Sequence, residues 1–151
     1  KSLVGSEMCI RDSLCGETTG VSRRIADFLL REASPGIHIW GGETSVNLPP
    51  EPGTGGRNQQ LALQVAHQIA GNDSFCFVSA GTDGIDGHSE DAGAIVDGGT
   101  MMRGETQGLD IEDSLARADA NPFLAASGDL IHLGATGTNV MDIMLAWKGD
   151  S

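Results

Sequence analysis

Residues 75–87 read FCFVSAGTDGIDG. A short run rich in apolar and β-branched side chains passes without a break into a loop of glycines and aspartates, which is the signature of a strand delivering a polar loop to one edge of a sheet. The same grammar recurs at residues 37–45, IHIWGGETS, and at 131–142, IHLGATGTNVMD. Further candidate strands are GAIVDG at 93–98, DLIHLG at 129–134 and MDIMLAW at 141–147. Between them lie two stretches with helical spacing. SRRIADFLLREA places Ile25, Phe28 and Leu29 on one face, and NQQLALQVAHQIAG does the same with Leu61, Val65 and Ile69 before Gly71. Interleaved strands and helices predict a single-domain α/β fold, a layered mixed or mostly parallel sheet flanked by helices. In such sheets ligands bind beyond the carboxyl ends of the strands. If the strands share a direction, the three glycine loops meet there.

The opening of the chain reads differently. Residues 3–13, LVGSEMCIRDS, fit no element and resemble a translated sequencing adaptor. Residues 1–13 are therefore set aside as a non-native segment, expected to be loosely attached, with the domain proper spanning 14–148 and entering mid-protein near Leu14. Composition then narrows the function. The formal charge of −12 makes the chain repel phosphate backbones, so nucleic acid is excluded as a partner. The chain is 39% apolar, enough for a core, and has no continuous apolar run of membrane-spanning length, which excludes a membrane role. Outside the set-aside segment the cysteines are Cys15 and Cys76, without metal or disulfide spacing, which favours a reducing, cytoplasmic setting.

A fourth loop, PPEPGTGGRNQQ at 49–60, precedes a helix. Gly53, Gly55 and Gly56 let backbone approach a ligand closely, and Arg57 stands at the helix entrance with Asn58 as a reasonable N-cap. Free N–H groups, the helix dipole and a planar guanidinium would converge there on a phosphate or carboxylate. A flexible turn before an ordinary capped helix is the alternative. The loop is neither a P-loop nor a dinucleotide fingerprint. In the acidic loop, Asp83 and Asp86 are the pair expected to point at one centre, suiting magnesium, which takes one or two carboxylates and completes its shell with water and phosphate. A solvated turn is the alternative there too. Glu43, Thr138 and Asn139 are candidate contacts for substrate hydroxyls. His38 and His132 are read as strand residues and His67 as a helix residue, all structural, while His88 is a less favoured proton relay.

Five motifs in order, GGETSV, GGRNQQLAL, AGTDGIDG, DAGAIVDG and TGTNVMDI, resemble the MOFRL domain. This is the C-terminal half of bacterial-type glycerate 2-kinases, a family whose members are often labelled hydroxypyruvate reductase. The resemblance implies an α/β fold, ATP and Mg2+ as cofactors, and phosphorylation of D-glycerate in a cleft shared with an N-terminal domain absent from this sequence. By motif, Arg57 and Asp83 become the catalytic candidates, Asn58 and Asp86 join the substrate contacts, and Asp83 with Asp86 remain the metal pair. The departures from the family pattern are Ser45, Gln60, the residues HSED at 88–91, and Met141 where Asn commonly precedes Asp142. Because of the last, Asp142 is assigned no catalytic role. Outside the set-aside segment Lys148 is the only lysine, so a lysine that balances phosphate charge must come from elsewhere. The alternatives are a hydroxypyruvate reductase or a non-catalytic module binding an anionic metabolite.

Overall fold

The computed structural model describes residues 7–10 and 13–150, with 7–10 described for their backbone only. Seven strands form one sheet: β1 Glu7–Ile10, β2 Leu14–Glu17, β3 Gly36–Ser45, β4 Phe75–Gly81, β5 Gly93–Asp97, β6 Leu130–Ile131 and β7 Asp142–Lys148. Five helices are α1 Thr18–Arg31, α2 Arg57–Gln68, α3 Thr100–Thr106, α4 Ile111–Ala116 and α5 Ala120–Ser127. The order across the sheet is β1-β3-β7-β4-β5-β6, with β2 pairing β3 beyond the stretch that β1 occupies. The α/β prediction holds, and the sheet is mixed. β7 inserts antiparallel between β3 and β4, and this makes β3 and β4 parallel to one another. Two further antiparallel pairings, β4 with β5 and β5 with β6, return β6 to the direction of β4. The carboxyl ends of β3, β4 and β6 and the start of β7 therefore share one edge, and the three glycine loops gather there.

Residues 1–13, set aside from the sequence, lie largely outside the described residues. Within residues 1–13, Glu7–Ile10 form β1 and run parallel to Gly36–Ile39 at the outer side of β3, so the expectation that this segment fits no element does not hold there.

The helices pack on one face of the sheet. α1 turns Val21, Ile25, Phe28 and Leu29 inward, and the Glu17 carboxylate caps its start by accepting from Thr19 N at 2.9 Å. α2 buries Leu61, Ala62, Val65 and Ala66 against β3, β4 and β5. The strands answer with Trp40, Phe75, Phe77, Val96, Met144 and Ala146, all in one core with Phe123 and Leu124 of α5. Full burial of a side chain of the size of Leu61 or Phe77 contributes about 1.5–3 kcal/mol. The other face of the sheet is apolar and thinly covered. Ile37, Trp147 and Cys76 lie in one cross-strand row, and Ile39, Leu145, Val78 and Ile95 lie in the next. Ile95, Ile143 and Trp147 on this face are exposed. No helix among the described residues is long and apolar enough to cross a membrane.

The structure corrects the sequence reading at several elements. DLIHLG yields a strand only at Leu130–Ile131, so His132 lies in the loop beyond it. β2 and the helices α3, α4 and α5 were not anticipated. α3 contains Gly104 and α5 carries Pro122 in its first turn, and none of the three exceeds eight residues, too short for a helical period to stand out.

Candidate functional site

Arg57 is the first residue of α2, and its N-cap is Gly56. Asn58 is thus inside the first turn and does not cap it. The cap comes from Asp86, 28 residues further on, whose Oδ1 accepts from Asn58 N at 3.0 Å and from Asn58 Nδ2 at 3.1 Å. Its Oδ2 accepts from Gln59 N at 2.8 Å. The helix N–H groups that the sequence leaves free for an anion are therefore taken by a carboxylate of the chain itself. A negative charge in that place also complements the helix dipole. Asn58 is fully enclosed and completes the arrangement by accepting from Ser79 Oγ at 2.7 Å.

The glycines of the 49–60 loop acquire reasons. A Cβ on Gly56 would stand 2.3 Å from Asp86 Cγ, and one on Gly53 would stand 2.3 Å from Asp119 Cγ. The close approach that these glycines permit is made by aspartate side chains of the fold. Asp119 Oδ1 accepts from Thr54 N at 2.7 Å, and Asn121 N donates to Thr54 O at 3.0 Å, so α5 holds the loop in place.

The guanidinium of Arg57 makes its contacts at the strand edge. Its Nε donates to Asp142 Oδ2 at 2.5 Å and its Nη2 to Asp142 Oδ1 at 3.2 Å, while Nη1 lies 3.1 Å from Glu43 Oε1. Asp142 opens β7 and is 3% exposed, whereas the Arg57 side chain is 39% exposed. A buried carboxylate thus holds an accessible guanidinium by a two-point contact that fixes its plane. That hydrogen bond to Asp142 raises the Arg57 pKa, outweighing the opposing effect of burial, so the side chain stays cationic. Sequence reasoning gave Asp142 no catalytic role. The positioning contact spans 85 residues and leaves no local trace.

Asp83 sits in a turn in which its Oδ1 accepts from Ile85 N at 3.1 Å. A point at ideal Cβ distance on Gly81 lies 3.0 Å from Asp83 Oδ1 and 3.7 Å from Asp142 Oδ1, so these two carboxylates flank Gly81. Asp86 faces the helix instead. No group of three or more His, Cys, Asp or Glu side chains suited to a metal occurs among the described residues. The acidic loop is tied to the loop before β7: Thr82 Oγ1 donates to Met141 O at 2.8 Å and Thr136 N donates to Asp83 O at 3.2 Å. Thr138 and Asn139 stand exposed in that second loop. A cavity of about 490 Å³ is walled by the glycine loop, Arg57, Asp83, Asp86, Thr44 and Gln60. His88 also lines it. His38 is buried and its Nε2 donates to Ser34 O at 2.9 Å, His67 faces Glu112, and His132 pairs with Asp91.

Burial pushes the Asp86 carboxyl up, against the pull of the hydrogen bonds from Gln59 and Asn58. A carboxyl whose pKa is higher in the folded than in the unfolded chain contributes stability at low pH that is lost as the pH rises through the folded value. The stability advantage of the wild type over Asp86→Asn is expected to shrink as pH rises from the ordinary aspartate range upward. Urea unfolding of both proteins across that range checks it, and a gap that widens with pH would show the opposite shift.

A family comparison adds its own evidence to this geometry. The model of the MOFRL family matches residues 36–142, from the start of β3 to the residue that holds Arg57. The chain belongs to the MOFRL family. This MOFRL chain is 43% identical over 111 residues to the D-glycerate 2-kinase of Thermotoga maritima, covering 74% of the chain and 26% of that protein. It is 35% identical over 140 residues to a protein of Agrobacterium vitis that carries the hydroxypyruvate reductase label, covering 87% of the chain and 36% of that protein. The crystal structure of the Thermotoga maritima glycerate kinase superposes with a TM-score of 0.88 at 37% identity, covering 96% of this chain and 37% of that one. The MOFRL chain thus spans about a quarter to a third of the length of the curated relatives it matches.

Proposed function

We propose that the chain forms the C-terminal side of the active-site cleft of a cytoplasmic glycerate kinase, which transfers a phosphoryl group from ATP to D-glycerate. The observation that carries this reading is Arg57, an accessible guanidinium locked by a buried Asp142 at the edge where the glycine loops meet. Phosphoryl transfer depends mainly on holding the reactants in place and on stabilising negative charge, so a pre-set fork-shaped cation is the right part for it. Arg57 would bind the substrate carboxylate or a phosphate oxygen, moving off Glu43 while Asp142 keeps its plane. Asp83 is the carboxylate that would hold Mg2+, because both oxygens of Asp86 are engaged with α2. When bound, the metal would neutralise nucleotide phosphate charge. Asp86 would serve the site indirectly, by fixing the helix entrance that bears Arg57. Glu43, Thr138 and Asn139 stand at the same edge and would meet substrate hydroxyls. Gly53, Gly55 and Gly56 line the cavity and would form its backbone wall.

Arg57 is paired with Glu43 and Asp142, and Asp83 and Asp86 line its cavity, so further positive charge would have to come from outside this chain. The remainder of a full-length polypeptide would supply it, and the apolar open sheet face offers that remainder a surface to pack on. The name carried by the Agrobacterium vitis relative gives a second reading, reduction of hydroxypyruvate. Against it, the glycine loop lacks the third spaced glycine of a dinucleotide fingerprint. A two-domain polypeptide containing this chain should form ADP from ATP, magnesium and D-glycerate and leave NADH unoxidised in the presence of hydroxypyruvate. NADH oxidation without ADP formation would favour the reductase. Binding of glycerate without turnover in either assay would favour a non-catalytic module.

A further inference from the structure

Thr82 follows Gly81, the last residue of β4, and Gly81 is paired with Asp142 at the start of β7. Thr82 therefore stands opposite Met141, one step beyond the last ladder pair. Met141 joins the exposed loop 132–141 to the buried Asp142, and it is strained: its φ is 149°, in a region that residues with a Cβ rarely adopt. Strain of this kind persists only where the surroundings hold it. Here one side chain holds it from both ends. Thr82 Oγ1 donates to Met141 O at 2.8 Å, and accepts from Val140 N at 3.1 Å and from Met141 N at 3.4 Å. Thr82 N adds a bond to Met141 O at 3.4 Å. Thr82 is itself anchored, because its carbonyl accepts from Thr136 Oγ1 at 2.5 Å and the next carbonyl, that of Asp83, accepts from Thr136 N at 3.2 Å. The residue that follows Met141 is Asp142, whose carboxylate grips Arg57 at two points.

We propose that Thr82 is a positioning residue for Arg57: its hydroxyl holds the Met141 backbone in the strained conformation that sets Asp142, and Asp142 in turn fixes the plane of the guanidinium. A hydroxyl is the group required, because Met141 O needs a donor while Val140 N needs an acceptor, and one hydroxyl serves both. Serine supplies the same atoms and valine supplies neither. Without the hydroxyl, Met141 is free to relax towards negative φ, and the start of β7 moves with it. A guanidinium that loses its fixed plane stabilises transferring charge less well, since small misplacements are costly at a reacting centre. The inference rests on the reading of Arg57 as the cation that meets the substrate, and it names the residue that keeps this cation aimed.

The chain itself and a two-domain polypeptide carrying it provide independent tests. In the chain, the Arg57 Nε–H proton can be followed by NMR and identified by its loss in Arg57→Lys. It should exchange with water about tenfold faster in Thr82→Val than in wild type, because its bond to Asp142 opens more often, and Thr82→Ser should restore slow exchange. In the two-domain polypeptide, Thr82→Val should lower kcat/KM for D-glycerate about tenfold, with most of the loss recovered by Thr82→Ser. In an Arg57→Ala background the same change should cost nothing further, as expected of residues that act as one unit. Thr82→Ala takes the place of Thr82→Val if the valine variant does not fold. Unchanged exchange at Arg57 in the variant without the hydroxyl would overturn the proposal, whatever its melting temperature. A further loss in the Arg57→Ala background, or a raised magnesium requirement, would route the effect through the neighbouring Asp83 and overturn it as well. A wild-type polypeptide without glycerate turnover would reject the glycerate reading, while the exchange measurement would still decide the role of Thr82.

Discussion

In a two-domain enzyme carrying this chain, Arg57→Ala is expected to lower kcat/KM for D-glycerate by about a hundredfold, and Arg57→Lys by about tenfold. Lysine keeps the charge and loses the planar fork, and the fork is what Asp142 grips through Nε and Nη2. A lysine ammonium can meet one oxygen of that carboxylate or the substrate, but it cannot hold a fixed plane between them. Alanine also strands the buried Asp142 without its partner, so melting temperatures must accompany the kinetics. Asp142→Ala provides the companion measurement. If Asp142 acts only by aiming Arg57, the double variant should be no slower than Arg57→Ala alone, a non-additivity expected of residues that work as one unit. Wild-type kinetics in both Arg57 variants would return the residue to a purely structural role.

The chain by itself is expected to show no turnover. Purified and mixed with ATP, magnesium and D-glycerate, it should release no ADP above background, and addition or co-expression of the N-terminal portion of a two-domain relative should restore activity. Charge decides this outcome. At the strand edge Arg57 is paired with Glu43 and Asp142, and Asp83 and Asp86 line the same cavity, so the described site is net negative before any phosphate arrives. Lys148 is at the far end of β7 with its ammonium donating to Ala33 O at 2.7 Å, on the opposite edge of the sheet. Transition states of phosphoryl transfer spread negative charge over several oxygens and need cations placed around them. One guanidinium, already shared between two carboxylates, does not meet that need. Robust ADP release by the isolated chain would show that it holds a complete site, and the shared cleft would have to be abandoned.

Much of this architecture was legible in the linear chain because it is written in neighbours. The alternation of buried and half-exposed residues along β3 and β4, and the 3.6-residue spacing of Ile25, Phe28 and Leu29, are local patterns. The placement of Arg57 at a helix entrance after a glycine loop is local as well. So is the delivery of glycine loops from strand ends, which predicted the edge where they meet.

Other features depend on pairings between distant segments. Nothing in MDIMLAW states that β7 will slot between β3 and β4, yet that insertion makes β3 and β4 parallel and brings their loops to one edge. The same insertion carries Asp142 to Arg57, and the turn after β4 folds Asp86 back onto α2. Read along the chain, Asp83 and Asp86 look like one metal pair, because they are three residues apart with glycine between. In the fold they part: Asp86 spends its oxygens on a helix terminus, and Asp83 is left beside Asp142. Propensity and periodicity act over a few residues and so determine the elements. Which carboxylate meets which cation is decided by sheet order and burial, where an unpaired buried charge is too costly to leave and the chain must bring its partner from far away.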